Sequence, residues 1–202
     1  MNLIDSLIKE GWLKTPEIIG AFIKVKRGDF LPEDIKNLDE LNEALPIGFG
    51  QTISQPLTVA FMLELLQPKP GDKILDVGFG SGWTTALLSN IVGKNGRVIA
   101  IEIVPELEKI GEKNAEKYNR DKIAEFILGD GSKGFKSEAP YDKILASASI
   151  NAGSVPKVWK EQLKVGGRIV CPIENSIWLF IKKSEVDFEA KEYPGFVFVP
   201  LI

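Results

Sequence analysis

The chain has 202 residues, with 25 Lys and Arg against 28 Asp and Glu for a net charge of −3, one cysteine and no histidine. Hydrophobic residues at 44% and charged residues at 26% describe a globular chain of one-domain length, which excludes disorder and needs no disulfide or metal staple. The missing imidazole excludes Ser-His-Asp and Cys-His nucleophile pairs and HExxH zinc sites, and the lone Cys171 leaves no zinc cluster. What remains is chemistry whose nucleophile is already deprotonated at neutral pH. The acidic balance argues against a nucleic-acid partner, and the basic clusters Lys24-Val25-Lys26-Arg27 and Lys182-Lys183 read as solvated surface.

Leu3, Ile4, Leu7 and Ile8 recur at helical spacing until Gly11. Thr15-Pro16-Glu17 then reads as an N-cap, a first-turn proline and a first-turn acid for a second helix carrying Ile18, Ile19, Phe22 and Ile23. Asp5 and Lys9 interrupt the N-terminal apolar residues, so no leader is expected and the chain is placed in the cytoplasm. Residues 33–46 read as an acidic, irregular connection. Ala44 to Leu63 is a stretch of twenty residues without a charge, but Pro46, Gly48, Gly50, Gln51, Ser54 and Pro56 exclude a membrane span. Its front half is therefore expected to be a long uncharged loop.

From Pro56 the pattern becomes regular. A helix to Leu66 precedes a strand over 73–77, a glycine loop, a helix through Val92, a strand over 97–101 and a helix from Pro105 to about Asn119. Strands are expected near 124–128 and 141–146, then a helix near 155–163 and a strand at 167–172. The last two strands are expected at 177–182 and 196–201. Strand–helix alternation with short connections implies a doubly wound, mostly parallel α/β sheet covered on both faces, with N-terminal helices and antiparallel C-terminal edge strands. One domain is expected over 1–202: an N-terminal helical segment and loop (1–55), a ligand-binding core (56–172) and C-terminal strands (173–202).

Asp76-Val77-Gly78-Phe79-Gly80-Ser81-Gly82 runs from a strand through a glycine turn into a helix, and Glu102 ends the next strand. Such glycines let a ligand approach the backbone, and an acid at Glu102 suits the hydroxyls of a ribose. The spacing is G-x-G-x-G, not the dinucleotide G-x-G-x-x-G. Asp76 beside it would repel a pyrophosphate yet suits the ammonium and sulfonium of S-adenosylmethionine. The alternative at this level is a tight turn with an incidental acid.

Asp76–Gly82 and Glu102 resemble the first two motifs of the seven-stranded S-adenosylmethionine-dependent methyltransferases, and Gly129-Asp130-Gly131 falls where that class commonly places an acid near the adenine. Leu45 to Pro56, with Gly50-Gln51-Thr52-Ile53-Ser54 at its centre, resembles the signature of the protein-L-isoaspartate O-methyltransferases. Val25 to Pro32, Ala139 to Ile144, Gln162 to Arg168 and Phe198 to Leu201 are similar to further family segments in order. The resemblance implies methyl transfer to the α-carboxylate of L-isoaspartyl residues in damaged peptides and proteins, with S-adenosylhomocysteine as product. It implies Ser54 as the active-site serine, and Thr52, Ile53, Asp76, Gly78, Gly80, Ser81, Gly82, Glu102, Asp130 and Gly131 about the cofactor. Gln51, Val199 and Pro200 are implied at the peptide, no metal is implied, and a monomer is expected.

Three features depart from the family pattern. Phe79 stands where threonine is common and Trp83 where tyrosine is; Leu57 replaces a His or Tyr; and residues 146–156 match only loosely. The run from Asp76 to Asn114 is also similar to tRNA adenine-N1 methyltransferases. A small-molecule carboxyl methyltransferase and a non-catalytic cofactor-binding protein complete the alternatives.

Overall fold

Five short apolar runs pair side by side in parallel, and this pairing organises the molecule. The computed structural model describes residues 2–150 and 153–202; Met1, and Asn151 and Ala152 within the loosely matching 146–156 stretch, lie outside them. In chain order the elements are α1 (Leu3–Lys9), α2 (Pro16–Lys24), β1 (Leu45–Gly48), β2 (Gln51–Ile53), α3 (Pro56–Leu66), β3 (Lys73–Val77), α4 (Trp83–Val92) and β4 (Arg97–Glu102). They continue with α5 (Pro105–Ala115), β5 (Ala124–Leu128), β6 (Tyr141–Ala146), α6 (Lys157–Gln162), β7 (Leu163–Ile173), β8 (Ser176–Lys182) and β9 (Phe188–Pro194). The seven-stranded sheet has the order β5-β4-β3-β6-β7-β8-β9. Its first five strands are parallel, and β8 and β9 close it antiparallel, as expected of the methyltransferase sheet.

Successive residues of each strand point to opposite faces, so near-continuous apolar runs bury both. Ile74, Val98, Leu145 and Val170 pack against Leu7, Ile18, Leu63, Leu87 and Leu107 of the helices on one face. Leu75, Val77, Ile99, Ile101, Ile144 and Ile169 face the other way, onto Tyr141 and Trp159. The cover is uneven: α1 to α5 lie over the first face, while the second has the six-residue α6 and short 3-10 turns. Trp159 compensates there. It is fully buried, and its indole N–H donates to the Gly131 carbonyl at 2.9 Å.

The structure corrects four expectations. The front of the uncharged stretch is an ordered hairpin, β1 against β2, whose turn holds Gly48, Phe49 and Gly50 all at positive φ. Leu45, Ile47 and Ile53 are buried and carry the hairpin onto the body. The last strand is β9, at 188–194, and not 196–201. β9 is a solvated edge with the exposed run Glu189-Ala190-Lys191-Glu192, so it lacks an apolar signal. Phe196 instead stacks on Phe61 of α3, with ring centroids 5.4 Å apart, as part of a loop. Thr15 stands at the α2 N-cap position, but its hydroxyl donates to Glu64 of α3 at 2.7 Å, and Glu64 also accepts the Lys14 and Thr15 amides.

The fourth correction concerns the basic clusters. Arg27 is only 6% exposed and Lys182 only 2%. Lys182 donates to the carbonyls of Lys160 and Leu163 at 3.2 and 2.9 Å, at the end of α6. Main-chain carbonyls hold both cations, Lys182 with a further ion pair to Glu185 at 2.8 Å, while Arg27 Nε is left without a partner; these contacts are why the charges tolerate burial.

Candidate active site

Strand order reverses at β3, with β4 and β5 on one side and β6 and β7 on the other, so the loops after β3 and β6 part and leave a crevice. A cavity of about 720 Å³, counting its open mouth, lies there. Its floor is the glycine loop, Gly78 to Ser81; its walls come from Glu102 and its neighbours, Gly131, Ser147 and Ala148; Gln51 to Ser54 and the tail from Val199 to Ile202 complete it.

The glycine loop has its shape because φ is +71° at Gly78, +51° at Gly80 and +87° at Gly82. Gly78 N–H donates to Ile101 O at 2.8 Å, tying the loop to β4. Glu102 locks it further. One carboxylate oxygen accepts the Gly80 amide at 2.9 Å, and the other accepts those of Ile103 and Val104 at 2.9 and 3.0 Å. A carboxylate has about four acceptor positions, so room for a further donor remains. Asn114 of α5 donates to Ser81 O at 3.1 Å. Behind the loop, α5 comes so close that a Cβ on Gly82 would stand 2.4 Å from the Gly111 carbonyl oxygen.

The expected residues divide in two. Gln51, Thr52, Ile53, Ser54, Gly78, Gly80, Ser81, Glu102, Gly131, Val199 and Pro200 all line the cavity. Asp76, Gly82 and Asp130 are not among its lining residues. Asp76 is fully buried beneath the loop, where Thr85 and Thr84 donate to one oxygen at 2.7 and 3.2 Å and the other oxygen has no partner. Burial pushes its carboxyl up to about 6, against the two hydroxyls that lower it, with Glu102 adding to the rise. Gly82 spends its freedom on the approach of α5. The Asp130 carboxylate folds back onto the Ser132 amide and hydroxyl and onto Lys133, which together hold its pKa below the ordinary value.

Thr84, Ile101, Ser147 and Ala148 also line the cavity and were not expected there, and the two departures from the family motif, Phe79 and Trp83, line it as well. Ser147 and Ala148 could have been found, because they follow the C-terminal end of β6, where ligands of such sheets bind. The two aromatic departures fill core space. The Phe79 ring lies edge-on to Phe126 and against Gly111, while Trp83 lies edge-on to Phe22, with ring centroids 5.6 Å apart. Leu57 packs against the core, and its amide donates to Asn42 Oδ1 at 3.0 Å.

A second groove opens on the far side of the hairpin root. Asn42 to Ala44, Gln55, Thr58 and the loop from Gly195 to Val199 line it, and Thr52, Ser54, Ser147 and Val199 line both it and the cavity. The tail is held there by two hydrogen bonds, Ser149 N–H to Val199 O and Leu201 N–H to Ser149 O, each 2.8 Å. Ser54 therefore stands between a ligand cavity and an open groove. Among the described residues no cluster of side chains could hold a metal ion, and no helix is long and apolar enough to cross a membrane.

Similarity to other proteins follows the same outline. A family model described as Protein-L-isoaspartate(D-aspartate) O-methyltransferase (PCMT) matches residues 1–202. The chain is 41% identical over 205 residues to a protein-L-isoaspartate O-methyltransferase of Methanopyrus kandleri, covering 100% of this chain and 90% of that one. It is 45% identical over 188 residues to protein-L-isoaspartate O-methyltransferase 2 of Archaeoglobus fulgidus, covering 92% and 84%. Its fold matches, with a TM-score of 0.87 and 24% identity, a beta-aspartate methyltransferase (PCMT) chain from Plasmodium falciparum in complex with S-adenosyl-L-homocysteine, covering 100% and 99%.

Proposed function

The chain belongs to the protein-L-isoaspartate O-methyltransferase family, and from that premise we propose how its site performs S-adenosylmethionine-dependent methylation of isoaspartyl proteins. The observation that carries the reading is the position of Ser54, shared by the glycine-loop cavity and the groove.

The cavity suits the cofactor on its own chemistry. It combines a backbone stripped of side chains at Gly78 and Gly80, a carboxylate with a free acceptor position at Glu102, and apolar walls from Phe79, Ile101 and Ile103. Thr52, Ile53, Ser81 and Gly131 border the same space, and Asp76 shapes the loop from beneath. When bound, S-adenosylmethionine supplies an electrophilic methyl group on a sulfonium.

The groove takes the peptide, with Val199 at its junction with the cavity and Gln51 and Pro200 on the cavity side. A carboxylate has a pKa near 4, so it arrives ionised at neutral pH and no residue need remove a proton. A chain without histidine can run this reaction. The Ser54 hydroxyl donates a hydrogen bond to the substrate carboxylate and fixes the angle at which its oxygen meets the methyl group. Such alignment can supply roughly 7–11 kcal/mol of the barrier. Ser54 does not act as a covalent nucleophile, because among the described residues no side-chain base is hydrogen-bonded to its hydroxyl. The hairpin covers the junction and excludes water. The ester formed would then cyclise to a succinimide and begin repair of the damaged bond. The reading includes a monomer that acts in the cytoplasm on peptides and not on nucleic acid; the net charge of −3 supports the last point.

The test uses an L-isoaspartyl peptide and its L-aspartyl isomer. Base-labile methyl ester on the first, with little on the second, is expected. Equal rates on both, or none on either, would overturn the reading.

A further inference from the structure

Arg27 lies in the segment over 25–32 that resembles the family but has no part in the chemistry described so far. Its guanidinium is buried, and all four of its hydrogen bonds go to main-chain carbonyl oxygens. One terminal nitrogen donates to Asp39 O at 3.4 Å and Leu41 O at 2.9 Å; the other donates to Glu43 O at 2.7 Å and Ser54 O at 3.3 Å. The guanidinium carbon lies 5.6 Å from the centroid of the Trp83 ring, which forms part of the cofactor cavity. One group thus touches a cavity wall, the approach to the hairpin and the residue at which the hairpin returns.

Asn42 clasps the same two ends from the other side. Its side-chain oxygen accepts the Leu57 amide at 3.0 Å, and its carbonyl accepts the Gln55 side-chain amide at 2.8 Å. The hairpin root therefore has polar ties on both flanks. A lysine at 27 would keep the charge, but as a point donor on a flexible stem it could not hold carbonyls on two sides at once.

We propose that Arg27 is the positioning residue for Ser54: its planar fork holds the 39–54 segment against the Trp83 wall, so that the Ser54 hydroxyl stands at the junction of cavity and groove. This rests on the reading of Ser54 as the hydroxyl that orients the substrate carboxylate. Arg27 is not among the residues that line the cavity or the groove, and the effect assigned to it on transfer passes through Ser54.

That dependence sets the test. Methyl transfer to the L-isoaspartyl peptide and S-adenosylhomocysteine binding are measured for the wild type, Arg27→Lys, Ser54→Ala and the double variant, with circular dichroism to establish folding. Arg27→Lys is expected to lower kcat/KM for the peptide by about 10–100-fold, the scale of a misplacement near 1 Å, while the cofactor-product Kd stays within about threefold. In the Ser54→Ala background the same substitution should cost less than about threefold, because the hydroxyl it positions is already gone. Multiplicative losses would overturn the proposal, and so would a parallel fall in cofactor-product affinity, since either marks a general structural role. Should Arg27→Lys not fold, Arg27→Gln replaces it in the cycle; failure of both to fold also counts against the proposal. A wild type inactive on the peptide would defeat the reading of Ser54 and this inference together, whereas an active wild type with multiplicative losses defeats this inference alone.

Discussion

Replacing Gly111 by alanine sets helix propensity against packing. Gly111 lies inside α5, and alanine at a helix interior gains about 1 kcal/mol over glycine. Its added Cβ, however, would lie 2.5 Å from the Gly80 carbonyl oxygen and 2.6 Å from Phe79 Cε2. Neither neighbour is free to yield. Gly80 is held through its amide by Glu102 at 2.9 Å, and the Phe79 ring is edge-on to Phe126 at a centroid distance of 5.2 Å. Overpacking costs typically about 1–3 kcal/mol, and a main-chain oxygen among the obstructions puts this site in the upper half. The net loss is then about 1–2 kcal/mol, or a fall in Tm of about 2–8 °C for a chain of this length. The loop must retreat by about half an ångström, which is the tolerance of a preorganised site, so S-adenosylhomocysteine should bind measurably more weakly. Calorimetric Tm and titration of Gly111→Ala check both effects, and a cycle with Phe79→Ala should show a favourable coupling of at least about 0.5 kcal/mol. A higher Tm with unchanged cofactor-product Kd would mean that propensity wins and that the approach of α5 does not control the loop.

Ser54→Ala removes one hydrogen bond to a charged group, about 1.5–3 kcal/mol, so kcat/KM for the isoaspartyl peptide should fall about 10- to 150-fold with the cofactor-product Kd unchanged. An equal loss of cofactor binding by calorimetry would place its role on the other side of the junction. The Asp76 carboxyl, raised by burial to about 6 from 3.8, makes a contribution to stability that is full below about pH 3.8 and is lost as pH rises through about 6. Asp76→Asn abolishes this titration. Its stability relative to wild type should therefore grow with pH across that window, by an amount on the order of 3 kcal/mol, and a pH-independent difference in thermal denaturation would contradict the assignment.

Much of the fold was legible because its signals are local. The strand from Lys73 to Val77, the glycine turn and the helix from Trp83 follow from an apolar run, positive-φ residues and periodicity, and each stands where expected. The hairpin was also within reach: Leu45, Ile47 and Ile53 carry an apolar face about a Gly-Phe-Gly turn. The uncharged composition had pointed to an irregular loop instead. β9 was not legible, since a solvated edge strand leaves no apolar alternation to read. Arg27 and Lys182 misled for a related reason. A basic residue beside other basic residues looks solvated unless one knows that carbonyl oxygens converge on it.

The order of residues along the chain was enough to determine the α/β class, the ligand loop after β3, the acid closing β4, the absence of imidazole chemistry and the family. Those follow from contiguous segments, whose residue types and spacing carry their own physical meaning. Tertiary structure alone decided which side chains meet. It put Asp76 under the loop, folded Asp130 back onto Ser132 and Lys133, packed Phe79 and Trp83 against the core, and brought Ser54, Ser147 and Val199 together across two cavities. The direction of a side chain depends on what packs behind it. For Ser54 that includes a guanidinium 27 residues earlier in the chain, a contact that no local pattern encodes.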